Sequence, residues 1–154
     1  MKKKGDVVFI SSDHAGFEMK EKLKELLSEL ELDYEDLGPK KLDPEDDYPD
    51  FAFKLAEKVA KTNSSKGVLV CGSGIGMCIA ANKVKGIRAV NATDSFTAVM
   101  SRTHNDANVL CLPGKEYSLE ELRDIVAIWL ETPFSNEERH KRRIKKISKY
   151  ENKK

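Results

Sequence analysis

The chain has 154 residues, 40% hydrophobic and 34% charged, with 27 basic against 26 acidic side chains for a net charge of +1. That size suits one domain, 1–154, with a real core and a solvated surface. No apolar run approaches the roughly 20 residues a membrane span needs, and no apolar stretch of secretory-signal type follows the opening Met1–Asp6. Three cysteines (Cys71, Cys78, Cys111) form an odd set without CxxC spacing. They predict reduced thiols in a cytoplasmic compartment, with neither disulfides nor a zinc site.

In chain order, the apolar run Val7–Ile10 reads as a first strand and ends in Ser11, Ser12, Asp13 and His14. A helical pattern comes next, with Phe17, Met19, Leu23, Leu26, Leu27 and Leu30 on its apolar side. Asp33–Asp36 is a short second strand. Gly38–Pro49, with one glycine, three prolines and clustered acids, reads as a long loop of the kind that serves as a lid. Pro49–Ala60 is helical, with Phe51, Phe53, Leu55 and Val59 as buried candidates.

The stretch Gly67–Lys83, GVLVCGSGIGMCIAANK, is the centre around which the chain is organised. Val68, Leu69 and Val70 suit a buried parallel strand. Gly72, Gly74 and Gly76 turn the chain into a helix with Ile79, Ala80 and Val84 on its apolar side. A glycine turn between a strand and a helix gathers backbone N–H groups into an anion cradle. The spacing is GxGxG after a third strand, not the GxGxxG of a dinucleotide fold, and the GK[ST] of a P-loop is absent. Cys71 stands at the lip of that cradle. A free cysteine is ordinarily a small buried hydrophobe, but this position favours its thiolate as nucleophile or base. Cys78 and Cys111 read as packing residues.

Ile87–Val90 is a further strand, and Ser95–Arg102 is a helix that runs out near His104, Asn105 and Asp106. Val109–Leu112 is a fifth strand, stopped by Pro113-Gly114. Ser118 with Glu121 fits a capping box that opens an amphipathic helix through Leu122, Ile125, Val126, Trp129 and Leu130. Ser135 with Glu138 fits a second box, opening a charged helix over about 136–150. From Asn136 to Lys154 there are nine Lys/Arg and three Glu, with Tyr150 the sole aromatic, so a solvated basic helix competes with a nucleic-acid tail. Five strands alternating with helices predict an open parallel sheet with helices on both faces and ligands beyond the strands' carboxyl ends. Asp13, His14, Cys71–Gly76 and Asn91–Asp94 fall on that edge. His14 suits ligand contact, His104 reads as a ligand group or a helix-end cap, and His140, amid Arg139, Lys141, Arg142 and Arg143, reads as solvated surface. Arg139 and Arg143, four apart on one helix face, suit a phosphate.

Several motifs then recur together, in order: Asp13-His14-Ala15-Gly16, Asp47-Tyr48-Pro49, Cys71-Gly72-Ser73-Gly74-Ile75-Gly76, Ile79-Ala80-Ala81-Asn82-Lys83, Gly86-Ile87-Arg88-Ala89, Ser101 to Asn108, and Arg139-His140-x-x-Arg143. The chain resembles the type B ribose-5-phosphate isomerases, relatives of the allose-6-phosphate and galactose-6-phosphate isomerases. The resemblance spans about Val7 to Ile147. It implies a Rossmann-like three-layer α/β/α fold and a homodimer or tetramer with active sites at the subunit interface. The C-terminal helix would then pack on a neighbouring subunit. It also implies a ribose 5-phosphate/ribulose 5-phosphate isomerase without cofactor or metal; an allose-6-phosphate-type enzyme or a non-catalytic sugar-phosphate-binding module are the alternatives. No nucleic-acid or membrane partner is expected.

By resemblance, Cys71 is the base, and the amides of Gly72, Ser73, Gly74, Ile75 and Gly76 hold the enediolate charge, with the Ser73 side chain in support. His104 opens the sugar ring. Asp13 and Asn105 bind hydroxyls, Tyr48 lines the pocket, and His14, Arg139 and Arg143 hold the phosphate. Members without the cysteine carry a glutamate five to six residues later; Met77 stands there in this chain, placing it in the cysteine subtype. Lys115 replaces an arginine common in the family, keeping the charge without the bidentate fork.

Overall fold

The computed structural model describes residues 6–153, so Met1–Gly5 and Lys154, which the reading of the N-terminus and of the domain 1–154 includes, lie outside the described residues. In chain order the elements are β1 Val7–Ser12, α1 Phe17–Glu29, β2 Asp33–Asp36, α2 Tyr48–Lys61, β3 Lys66–Cys71 and α3 Ile75–Ala81. They continue with β4 Ala89–Asn91, α4 Ser95–Asn105, β5 Val109–Pro113, α5 Leu119–Glu131 and α6 Glu138–Glu151. Every strand pairing is parallel, and the sheet order is β2-β1-β3-β5-β4. Successive residues of a strand point to opposite faces, which explains why the central strands read as continuous apolar runs: both faces are covered.

On one face Val8, Ile10, Val68, Val70, Leu110 and Leu112 pack against α1, α4 and α5, with Trp129 fully buried. On the other, Phe9, Leu69, Cys71, Val109 and Cys111 pack against α2 and α3 through Leu55, Val59, Met77 and Ala80. This is the expected three-layer α/β fold. Among the described residues no helix is long and apolar enough to cross a membrane. The chain moves outward from β1 to β2 and then returns to place β3 on β1's other side. That reversal opens a crevice beyond the carboxyl ends of β1 and β3, where ligands of such sheets bind.

Four local readings need correction. Ile79 is not on α3's inner side but 59% exposed, and Met77 is buried in its place. Phe53, expected in the core, is also exposed. The fourth strand starts at Ala89 rather than Ile87, because Asn108 engages Arg88 N–H through its side chain before the ladder begins. The capping box at Ser118 forms in full, with Glu121 answering Ser118 N–H at 2.8 Å. The one expected at Ser135 does not: Glu137 is α6's N-cap, without a side-chain cap bond. The Ser135 hydroxyl is instead 2.7 Å from His140 Nδ1.

Within α1 the sequence pattern hides a charge. Lys20 is fully buried, and its ammonium donates to Asp36 at 3.0 and 2.8 Å and to the Pro39 carbonyl at 2.8 Å. Lys24 reaches the same carboxylate at 2.9 Å. This clamp ties α1 to the end of β2 and to the start of the long loop that leads to α2.

Candidate active site

At the crevice, β3 delivers Cys71 to the sheet edge, and the chain turns at once through Gly72–Gly74 into α3. Gly74 has φ +77, and a Cβ there would meet the Leu112 backbone and the Asn91 amide at 2.9 Å, so the turn requires glycine. The turn is fixed from both sides. Gly74 N–H donates to Cys71 Sγ at 3.0 Å, and Asn91 Nδ2 donates to the Ser73 carbonyl at 3.0 Å. Ile75 N–H donates to Ser73 Oγ at 3.3 Å. The buried thiol therefore has a defined direction beside the amides of Gly72–Gly76. The Tyr48 ring lies over Gly76, where an added Cβ would come within 2.7 Å of it.

β1 brings a second group to the same edge. Asp13 N–H donates to the Val70 carbonyl at 3.3 Å, and Asp13 Oδ1 accepts from Gly16 N–H at 3.0 Å. Burial raises the Asp13 pKa, against the Gly16 hydrogen bond that lowers it. His14 is held by Asp46, from the long loop: Asp46 Oδ1 is 2.7 Å from His14 Nδ1 and accepts His14 N–H at 3.1 Å. That hydrogen bond raises the His14 pKa, while the neighbouring Lys115 acts to lower it. Among the described residues, ligand atoms of Asp13, His14 and Asp46 lie within 4.8 Å of one another, a spacing that would fit a cation. The His14–Asp46 hydrogen bond occupies two of those three groups.

Cys71, Ser73, Gly72, Gly74, Ile75, Gly76, Asp13, His14, Tyr48 and Lys115 thus converge at the carboxyl edge. His104, Asn105, Arg139 and Arg143 do not. α4 starts at the carboxyl edge after β4 and carries the chain about 16 Å the other way, so its last turn reaches the amino edge. There the Asn105 carbonyl accepts from Arg88, just before β4, at 2.8 Å. α6 begins beside that turn, where Ser135 N–H donates to the Thr103 carbonyl at 3.2 Å. Its far end reaches Gly86 N–H through Glu151 at 3.0 Å. Arg139 and Arg143 are exposed on α6, with Arg139 Nε on Glu137 at 2.7 Å.

His140 is not the solvated residue its basic neighbours suggest. It is 3% exposed, and its ring centroid lies 4.4 Å from that of His104 at an interplanar angle of 38°. Burial and the adjacent His104 lower its pKa. Sequence reasoning also passed over Asp46, one acid among several in a polar loop, 32 residues from its partner.

A cavity of about 860 Å³ lies at the amino edge between Asp6, Leu32, Lys66, Arg102, Leu130 and Phe134, and none of the expected site residues lines it. Ile75 (58% exposed), Ile79, Phe96 (73%) and Ile147 (54%) are exposed on α3, α4 and α6.

The fold is that of α/β proteins that bind small molecules at the switch point of the sheet. A family model described as ribose/galactose isomerase matches residues 8–147, and the chain belongs to that family. It is 46% identical over 147 residues to a probable ribose-5-phosphate isomerase B of Mycoplasma pneumoniae, covering 96% of both chains. It is 39% identical to a D-erythrulose-4-phosphate isomerase of Mycolicibacterium smegmatis, covering 94% of this chain and 96% of that one. Among solved structures, ribose-5-phosphate isomerase B from Mycoplasma genitalium with bound ribulose-5-phosphate superposes with a TM-score of 0.92 at 43% identity, covering 97% and 98% of the two chains.

Proposed function

We propose that this chain interconverts ribose 5-phosphate and ribulose 5-phosphate through an enediolate, as a homo-oligomer whose every site is built from two copies. The observation that carries the reading is the Cys71 thiol, aimed by Gly74 N–H beside a row of backbone donors at the switch point. A proton on a carbon next to a carbonyl needs a positioned base, and the oxygen charge that develops needs donors already in place. Cys71 takes the proton from C2 of the open aldose and returns it to C1, while a proton passes from the C2 oxygen to the C1 oxygen. The amides of Gly72–Gly76 hold the charge in between, with Ser73 in support.

His104 and Asn105 belong to the same reaction from the far edge, and so reach it from a second copy. His104 opens the furanose ring by exchanging a proton with the ring oxygen, and Asn105 and Asp13 hold hydroxyls. Tyr48 closes the pocket over Gly76. His14, Lys115 and the Arg139–Arg143 pair bind the phosphate, whose binding energy is remote from the reacting carbons. The uncovered apolar side chains of α3, α4 and α6 support the second copy as the missing wall.

The test is an assay of the purified chain on ribose 5-phosphate and allose 6-phosphate side by side, with and without chelator. Turnover of the pentose phosphate, unaffected by chelator, is expected. A preference of tenfold or more for the hexose phosphate, or no turnover of either, contradicts the reading.

A further inference from the structure

His104 is exposed, and among the described residues its ring makes no hydrogen bond. A group that must meet a sugar ring oxygen within hydrogen-bond reach has to be held, because a free histidine at a helix end explores several rotamers. A second imidazole lies against it, the two ring centroids 4.4 Å apart. We propose that His140 is a positioning residue for His104, a buried ring that serves as the platform on which the acid/base ring is kept in its working orientation. This rests on the reading of His104 as the ring-opening group.

The platform is itself anchored. Ser135 Oγ is 2.7 Å from His140 Nδ1 and also accepts from Glu137 N–H at 3.3 Å. Ser135 N–H donates to the carbonyl of Thr103, the residue before His104. Anchor, platform and acid/base ring are therefore one connected unit, assembled from the last turn of α4, the α5–α6 loop and the first turn of α6. Its position explains why a histidine is buried within a helix whose other side chains are so heavily charged.

The charges around His140 suit the role. Burial and the neighbouring His104, Arg139 and Arg143 favour its neutral form, and only Glu137 opposes them. A neutral ring supports its neighbour without competing for a proton, so His104 alone carries one across the turnover. A purely structural histidine would hold α6 against α4 and have no further effect on the reaction.

The experiment compares wild type with His140→Ala and His140→Phe. Its three readouts are kcat and KM for ribose 5-phosphate, solvent exchange of the carbon-bound proton of open-chain ribulose 5-phosphate, and the three-bond couplings that report the His104 rotamer by NMR. His140→Ala is expected to lower kcat about ten- to a hundredfold, less than the roughly 10²–10⁴-fold of a wholly lost acid–base group because His104 itself remains. KM and proton exchange should stay within about threefold of wild type, since phosphate binding and the Cys71 step are untouched. The His104 couplings should pass from those of one rotamer to an average, and His140→Phe, which keeps a ring, should recover most of kcat. Unchanged couplings, a loss confined to KM, or proton exchange falling as far as kcat overturns the proposal. If wild type fails to turn over ribose 5-phosphate, the functional reading fails while the couplings still decide the positioning role. If His140→Ala does not fold, Ser135→Ala releases the platform instead, and His104 couplings that remain those of one rotamer in that variant overturn the proposal.

Discussion

At the scale of single residues, the molecule sets apart two thiols that composition alone cannot distinguish. Cys71 is aimed by Gly74 N–H, whereas Cys78 lies half-buried on α3 with its pKa lowered to about 7 by the Cys111 thiol, which outweighs its burial. Cys71→Ala should reduce isomerisation by about 10²–10⁴-fold without unfolding the chain, as expected for loss of a general base. A loss below tenfold would remove Cys71 from that role. Alkylation is a safe probe of Cys71 only in a Cys78→Ala background, because a thiol that ionises near neutrality competes for the reagent. If His14 binds the phosphate as proposed, it also sets a pH dependence. Its hydrogen bond to Asp46 raises its pKa above the ordinary 6.5, so the charged form persists to higher pH than in a free imidazole. Stability and phosphate binding that depend on this charge are complete below about 6.5 and are lost as pH rises through the raised value. Asp46→Asn should move the alkaline rise in KM to lower pH. Superimposable KM–pH profiles for the two proteins would exclude the Asp46–His14 pair as its source.

At the scale of elements, the Lys20–Asp36–Lys24 clamp fixes where the long loop leaves β2. Burial pushes the Asp36 carboxyl up, but the two ammonium groups outweigh it and hold its pKa below the usual carboxylate value. Its contribution to stability is therefore complete at neutral pH and is lost only as pH falls below about 4. Lys20→Ala removes the buried partner and should destabilise the fold by about 3 kcal/mol in urea unfolding, the lower end for a broken buried pair because Lys24 remains. A change under about 1 kcal/mol would mean that Lys24 alone holds the loop. Elements were legible in the sequence wherever a local rule decides them, as in the apolar runs of β1, β3 and β5, the helical period of α1 and α5 and the Ser118 capping box. The misses share a tertiary cause. Ile79 and Phe53 obey an apolar period that cannot distinguish a side chain facing the core from one left for another surface. The Ser135 hydroxyl is drawn to a buried ring five residues on, and Lys20 is buried by a carboxylate sixteen residues away. The glycine turn and Cys71 were readable because they are contiguous in sequence. The His14–Asp46 and His104–His140 pairs join residues 32 and 36 positions apart, and only the folded chain brings them together.

At the scale of the whole molecule, the groups that the proposed reaction requires lie at opposite edges of one copy's sheet. The glycine turn, Cys71 and His14 lie at the carboxyl edge, with His104 and the Arg139–Arg143 pair toward the amino edge. Apolar side chains on α3, α4 and α6 remain exposed. A second copy related by a twofold axis would join unlike halves twice, making two sites from four half-sites. Mixing chains tests this directly. Cys71→Ala chains and chains carrying both His104→Asn and Arg139→Ala, each inactive alone, are combined, allowed to exchange subunits, and assayed on ribose 5-phosphate. In a randomly mixed dimer half the molecules are hybrids, each with one intact site, so about a quarter of wild-type activity should return. No recovery, with subunit exchange demonstrated by tagged chains, would place all the groups in a single copy and contradict the shared site.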